Sequence, residues 1–395
     1  MMTIELKPIS KRLLSIDVLR AITMLLMIFV NDVSGVKNIP EWIEHVKADA
    51  DGLGFADTIF PAFLFIVGLS LPLAIKSRIT KGDSFVQILL YILVRSFALI
   101  VMGFFHVNSE SYSSASVLPY AVWMILLTIS FFLIWLDYPE TMSKSLRYAL
   151  MNAGVILLLL LAWLYQGGTP EAPQGLQPYW WGILGIIGWS YLVCAILYAL
   201  IKDRIMLLTV AFIAFFTINI LSHLHLIPFE IYVIGDASSI SLVMAGIVVS
   251  ELFGLLFSTK NHSRMAIMFT GLGTLMILIG IFIRPITEGI SKIHSTPAWV
   301  SICIGITMLI FQLVIYLVDV KGKPNWFKFI RPAGTSTLTC YILPYLLYSL
   351  IALFGFNYPD MVTSGWLGII KSFAVAFFVI WLAGVLERRK VRLRV

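Results

Sequence analysis

The chain has 395 residues, of which 59% are hydrophobic and 12% charged, against about 25% charged in an ordinary soluble domain; a water-soluble fold is excluded. The formal net charge of +7 does not point to nucleic acid, because the cations lie in short segments between apolar runs and report orientation in a bilayer. Cys194, Cys303 and Cys340 sit inside apolar runs without metal-ligand spacing, so they read as buried small hydrophobes and no metal is expected.

Twelve stretches approach the roughly 20 apolar residues that a membrane-crossing helix needs: 13–31, 57–75, 84–105, 118–135, 148–165, 179–201, 205–222, 239–257, 265–283, 297–318, 333–354 and 364–386. Runs this long without period-2 alternation exclude a barrel, leaving helices as the way to satisfy the backbone in lipid. The expectation is an all-α polytopic transmembrane bundle of about 12 helices. The basic start MMTIELKPISKRLL precedes an apolar run, as in a secretory leader. However, Ile22 to Val30 leads into NDVSG without a small-residue cleavage site, so the run reads as a retained first helix.

Placing the N-terminus inside gathers most cations on one side: Lys7, Lys11 and Arg12; Lys76, Arg78 and Lys81; Lys144 and Arg147; Lys202 and Arg204; Lys260 and Arg264; Lys321, Lys323, Lys328 and Arg331; and the tail ERRKVRLR. The opposite loops keep Lys37, Lys47, Arg284 and Lys292. That bias predicts cytoplasmic termini. No soluble domain, low-complexity linker or internal repeat is visible, so residues 1–395 read as a single domain.

Ionisable groups at depth cost about 2.5–3.5 kcal/mol even on lenient scales, which makes them the informative exceptions. Arg95 lies near the middle of the third run and predicts a wet cavity or an acidic partner. Asp17 and Arg20, three apart, share a helix face and either pair with each other or meet a ligand. Glu251, Gln312, Asn219, Thr335, Ser336, Thr337 and Thr339 either line the same cavity or bond between helices. His223 and His225 form an HxH pair without a third ligand at convincing spacing.

The densest polar chemistry lies between the first two runs, from Arg12 to Gly68. His45 can serve as general base or transient acyl carrier. Asn31 offers a donor to a developing oxyanion, and Asp57 a carboxylate that fixes the imidazole tautomer. On these residue types alone, a lone loop histidine reads more often as a solvated residue than as a catalyst.

RLLSIDVLRAITMLLMIFVN, the loop histidine and GLGFADTIFPAFLFIVGLS resemble, in that order, the heparan-alpha-glucosaminide N-acetyltransferase family and its bacterial relatives, transmembrane acyltransferases. LVRSFALIVMG around Arg95, DASSISLVMAGIVVSE and SKIHSTPAWVSICIGITMLIFQLVIYLVDVKGKPNW are similar to the same family. The resemblance implies acetyl transfer from cytoplasmic acetyl-CoA to an amino sugar at or across the membrane, with His45 catalytic, Asn31 its partner and Asp57 the acid before the FP motif. It further implies an N-terminal catalytic block at 12–105 and a homodimer; the location expected for the bundle is the inner (cytoplasmic) membrane. Tryptophan commonly follows the family's histidine, where VKADADG stands here. The helix pair at 179–222 is additional to the animal enzyme.

A donor carrying phosphates on one side and its acetyl group on the other would meet Arg20, Arg95, Lys321 and Arg331 at its anionic end, with Asp17, Glu251 and Ser336 lining the cavity. The alternative reading is a transporter of amino sugars or cell-wall sugar fragments, which buried charges in a twelve-helix plan also suit.

Overall fold

The computed structural model describes residues 14–227, 233–258 and 261–395; Lys7, Lys11, Arg12 and Lys260 lie outside them. Among the described residues thirteen α-helices follow one another: α1 (Leu14–Val33), α2 (Ala56–Thr80), α3 (Phe85–Ser109), α4 (Tyr120–Trp135), α5 (Lys144–Trp163), α6 (Gly182–Ile201), α7 (Ile205–His223), α8 (Ser238–Ser258), α9 (His262–Ile283), α10 (Pro297–Ile315), α11 (Arg331–Thr335), α12 (Thr337–Leu353) and α13 (Gly365–Arg388). Between α5 and α6 a small antiparallel hairpin pairs Gly167–Thr169 with Ala172–Gln174. The protein is an all-α bundle, and among the described residues ten helices are long and apolar enough to cross a membrane.

Two of the twelve expected spans differ from the rest. The stretch at 118–135 gives a helix of 16 residues, α4. The stretch at 333–354 is broken: Pro324–Thr335 and Thr337–Leu353 meet at 73°. Ser336 is the hinge, with φ −127° and ψ 44°, after a segment containing Pro332 and Gly334, neither of which favours a continuous helix. Gly334 has a second consequence, since a Cβ there would lie 2.5 Å from the Asp17 carbonyl oxygen. The break therefore sits directly against α1.

Local signals set several helix starts. Ser84 and Gln87 form a reciprocal capping box before α3, Ser143 caps α5, and Thr296 caps α10 with Pro297 in its first turn; each satisfies amide donors that a helix start leaves open. Packing then relies on backbone approach at glycines, as expected where lipid gives no hydrophobic drive between helices. A Cβ on Gly68 of α2 would stand 2.0 Å from the Val243 oxygen, and one on Gly246 of α8 2.0 Å from the Phe65 oxygen. Gly103 and Gly185 join α3 to α6 in the same way. Of the ten spans, α8 is the most buried and α7 the least. α1 touches α2, α10, α11, α12 and α13, so the helix that leads into the histidine loop lies against much of the bundle.

The basic tail packs back onto the bundle. Leu393 pairs with Leu136, Arg392 Nη2 and Arg394 Nη1 lie 2.8 and 3.1 Å from the Asp137 carboxylate, and the Leu393 amide donates to Thr339 Oγ1 at 2.9 Å. The tail thus returns onto the α4–α5 turn and the start of α12.

Candidate active site in the loop between the first two helices

Loop 34–55 is fastened on two sides before it reaches α2. The Lys37 amide donates to the Thr363 oxygen at 2.9 Å and the Gly365 amide to the Lys37 oxygen at 2.8 Å, which ties the loop's start to α13. Its far end is tied to the segment before α10: the Gly52 amide donates to Ile290, the Ile290 amide to Asp51 Oδ1 at 2.7 Å, and Arg284 Nε lies 2.8 Å from Asp51 Oδ2. The Ile290 amide, with Arg284, holds the Asp51 carboxyl below its ordinary range despite some burial. Gly289 is required here, since its φ is +78° and a Cβ would fall 2.6 Å from the Asp51 carboxyl carbon.

This frame brings His45 and Asp57 together. His45 Nδ1 is 2.7 Å from Asp57 Oδ1. Asp57 lies in the first turn of α2, where a carboxylate suits the helix dipole, and its side chain is 2% exposed against 36% for His45. Oδ2 accepts from the Val46 amide at 3.1 Å and the Gly54 amide at 3.0 Å. An ionised carboxylate only accepts, so the arrangement assigns the ring hydrogen to Nδ1 and leaves the Nε2 lone pair as acceptor. Trp299 Nε1 donates to the Asp57 carbonyl at 3.0 Å, locking the start of α10 onto the start of α2.

The third member of the cluster is Lys292, half-buried between Gly289 and Thr296. Its Nζ is 3.3 Å from both ring nitrogens of His45. An in-plane approach equidistant from both nitrogens would drive Nζ into Cε1, so the amine stands over the ring face and leaves the in-plane lone pair of Nε2 open. Burial pushes the Lys292 ammonium below its ordinary range, against the opposing pull of Asp57.

Gly54 is the tightest joint in this arrangement. A Cβ there would lie 2.0 Å from the Glu44 oxygen and 3.2 Å from Asp57 Oδ2, so Gly54→Ala displaces the backbone next to His45. An ångström of misplacement can cost about 100-fold in rate, and a loss of that size in kcat, with the detergent melting temperature nearly kept, is the expected result. Wild-type kcat in this variant would show that the seat tolerates movement.

The other candidate residues fall into separate places. Asn31 is exposed in the last turn of α1, and among the described residues no hydrogen bond joins its side chain to His45. Its neighbour Asp32 turns inward to Lys371, at 2.5 Å, and to Tyr348. Arg20 Nη1 meets Asp17 Oδ1 at 3.1 Å and the Gly334 oxygen at 3.2 Å, and Nη2 meets Ser70 Oγ at 2.5 Å. It thereby joins α1 to α2 and to the broken helix. Arg95 bonds the Tyr91 hydroxyl at 3.0 Å and lies 5.0 Å from the Tyr191 ring centroid, its Nε buried without a hydrogen-bond partner among the described residues. Glu251 receives Lys76 at 2.7 Å and the Tyr198 hydroxyl at 2.6 Å. Ser336 is buried at the helix break, its Oγ likewise without a hydrogen-bond partner among the described residues, whereas Lys321 and Arg331 are exposed. His223 spans two carbonyls, Asn219 at 2.9 Å and His294 at 2.8 Å, while His225 faces Glu288 at 3.2 Å.

Sequence reading counted Lys292 only as an orientation charge, although a cation on a face poor in cations was a usable signal. It missed Trp299 and Lys371, whose roles arise from contacts across more than 240 positions. It also passed over His106, buried against Phe131, Tyr341 and Tyr345.

A family described as a domain of unknown function (DUF5009) matches residues 12–172, a range that contains α1, the histidine loop and α2. Human heparan-alpha-glucosaminide N-acetyltransferase is 38% identical over 106 residues, 27% of this chain and 15% of the human protein. The mouse protein of the same name is 35% identical over 99 residues, 25% of this chain and 14% of its own length. The matches thus span about one seventh of these curated relatives. Over these roughly 100 residues the chain is similar to proteins named heparan-alpha-glucosaminide N-acetyltransferase.

Proposed function

We propose that the protein is a membrane acetyltransferase that moves an acetyl group from acetyl-CoA to an amino sugar of glucosamine type. The observation that carries this reading is His45, seated on buried Asp57 with Nε2 left as acceptor. An amino sugar is largely protonated near neutral pH, and attack on a thioester needs the neutral amine; a positioned imidazole supplies the base. The kinship with proteins named as N-acetyltransferases supports the same chemistry. In this reading residues 1–395 work as one unit, with the block at 12–105 carrying the chemistry and the helix pair at 179–222 added to it. Arg20, Arg95, Lys321 and Arg331 hold the anionic end of the donor from the cytoplasmic side, where both termini lie. Asn31, at the end of α1, belongs to the same site as a partner of His45. The protein resides in the inner membrane as a homodimer.

The test is purified protein incubated with acetyl-CoA and a panel of amino sugars, following free thiol and acetylated product. Acceptor-dependent thiol release is expected, and its absence across the panel would overturn the reading. The second reading, a transporter of amino sugars or cell-wall sugar fragments, draws on one observation: the helix broken by 73° at buried Ser336, since interrupted helices mark many substrate paths. Uptake of labelled amino sugar into proteoliposomes without acetylation would favour it.

A further inference from the structure

We propose that Lys292 is the cation that stabilises the oxyanion formed on the acetyl carbonyl during transfer at His45. The inference rests on the acetyl-transfer reading and adds to it a residue from a distant part of the chain. Acyl transfer at a thioester passes through a tetrahedral state whose oxygen carries the developing negative charge, and a donor placed in advance at that oxygen is commonly worth 10²–10³ in kcat. Asn31 is exposed and unbonded to His45, as described above. Lys292 Nζ stands 3.3 Å from Nε2, the nitrogen that must face the reacting amine.

The geometry separates two tasks within one cluster. Nε2 keeps its in-plane lone pair, so it takes the proton as the amine nitrogen attacks the carbonyl carbon. Above the ring, Nζ can reach an oxygen bound to that carbon. The new bond is N–C, the bond that breaks is C–S, and the proton taken by Nε2 passes to the departing thiolate sulfur. Lys292 donates hydrogen bonds throughout and transfers nothing.

The charges around Lys292 leave its ammonium available. Among the described residues no carboxylate lies within ion-pair distance of it. Asp57 faces His45 and two backbone amides, Asp51 faces Arg284 and the Ile290 amide, and His294 Nε2 faces the Ala48 oxygen at 3.1 Å. The segment holding Lys292 is itself fixed at both ends, by Asp51 at Ile290 and by Thr296 Oγ1, which accepts from the Ser291 amide at 3.0 Å. A pre-placed donor of this kind needs little reorganisation during the reaction.

The experiment compares K292M and K292R with wild type in the thiol-release assay, using acetyl-CoA and glucosamine, with H45A alongside. K292M should lose about 10²–10³ in kcat with KM for acetyl-CoA little changed, and K292R should regain part of the loss. The ammonium acts only while protonated, and burial lowers the pH at which it loses its proton. Wild-type kcat should therefore fall on the alkaline side, earlier than an ordinary lysine would allow. K292R, which keeps its charge, should lack that fall; its pH profile decides the matter alone should K292M fail to fold. Wild-type kcat in K292M, a loss confined to KM, or an alkaline fall unchanged in K292R would overturn the proposal. Turnover retained in H45A would instead sink the acetyl-transfer reading at His45, whereas loss in H45A with full activity in K292M sinks only the role of Lys292.

Discussion

Replacing Asp57 by asparagine is expected to lower kcat for acetyl transfer by about 10⁴, the scale seen when a buried carboxylate that fixes a catalytic histidine is made neutral. The shape of the side chain barely changes, so the effect must come from hydrogen-bond polarity. Asp57 Oδ2 receives two backbone amides, from Val46 and Gly54, and Oδ1 receives His45 Nδ1. An asparagine in this seat turns its oxygen toward the two amides, because its NH₂ group would otherwise face two donors. Its NH₂ group then points at Nδ1, which must become the acceptor, and the ring hydrogen moves to Nε2. The nitrogen that should take a proton from the amine now carries one. His45→Ala removes the base outright and should abolish turnover. The measurement is thiol release from acetyl-CoA with melting followed in the same detergent: a stable Asp57→Asn protein with near wild-type kcat would refute the assigned tautomer.

How much of this was legible follows from which features are local. Every apolar run became a helix, since each carries its own signal in consecutive residues. The break at Ser336 was harder to read: Pro332, Gly334 and the hydroxyl run are visible in the sequence, but they interrupt a stretch whose average hydropathy still suggests a span. His45 and Asp57 are only twelve positions apart, and the sequence named both as members of one constellation. Asn31 was legible as an amide that suits an oxyanion, but helix phase, which composition does not reveal, is what leaves it exposed and turns its neighbour Asp32 inward. Lys292 carried only the weak signal of a cation among loops poor in them. Its place beside His45 depends on Asp51 holding Ile290 and on the close approach at Gly289, neither of which has a sequence signature.

Asp32 is where loss of a single side chain should be felt most in stability. Its carboxylate, 3% exposed, lies 2.5 Å from Lys371 Nζ, whose side chain is 17% exposed, and it accepts a second bond from the Tyr348 hydroxyl. These contacts clasp the end of α1 to α12 and α13, just before loop 34–55 begins. Asp32→Ala leaves the ammonium buried, with the Tyr358 ring centroid 5.4 Å away, and takes the acceptor from Tyr348. Breaking a buried pair by removing one partner costs about 3–5 kcal/mol, much of it from the uncompensated charge left behind. The expected result is a large fall in the detergent melting temperature. Asp32→Ala combined with Lys371→Met removes the stranded charge and should recover much of that loss, because contacting residues are non-additive. The recovery separates an electrostatic clasp from simple packing: if the double variant melts no higher than Asp32→Ala alone, the pair does not hold this end of the bundle. If it does recover, the same protein still carries His45 and Asp57, and its regained turnover would measure how far the catalytic loop depends on the clasp beneath it.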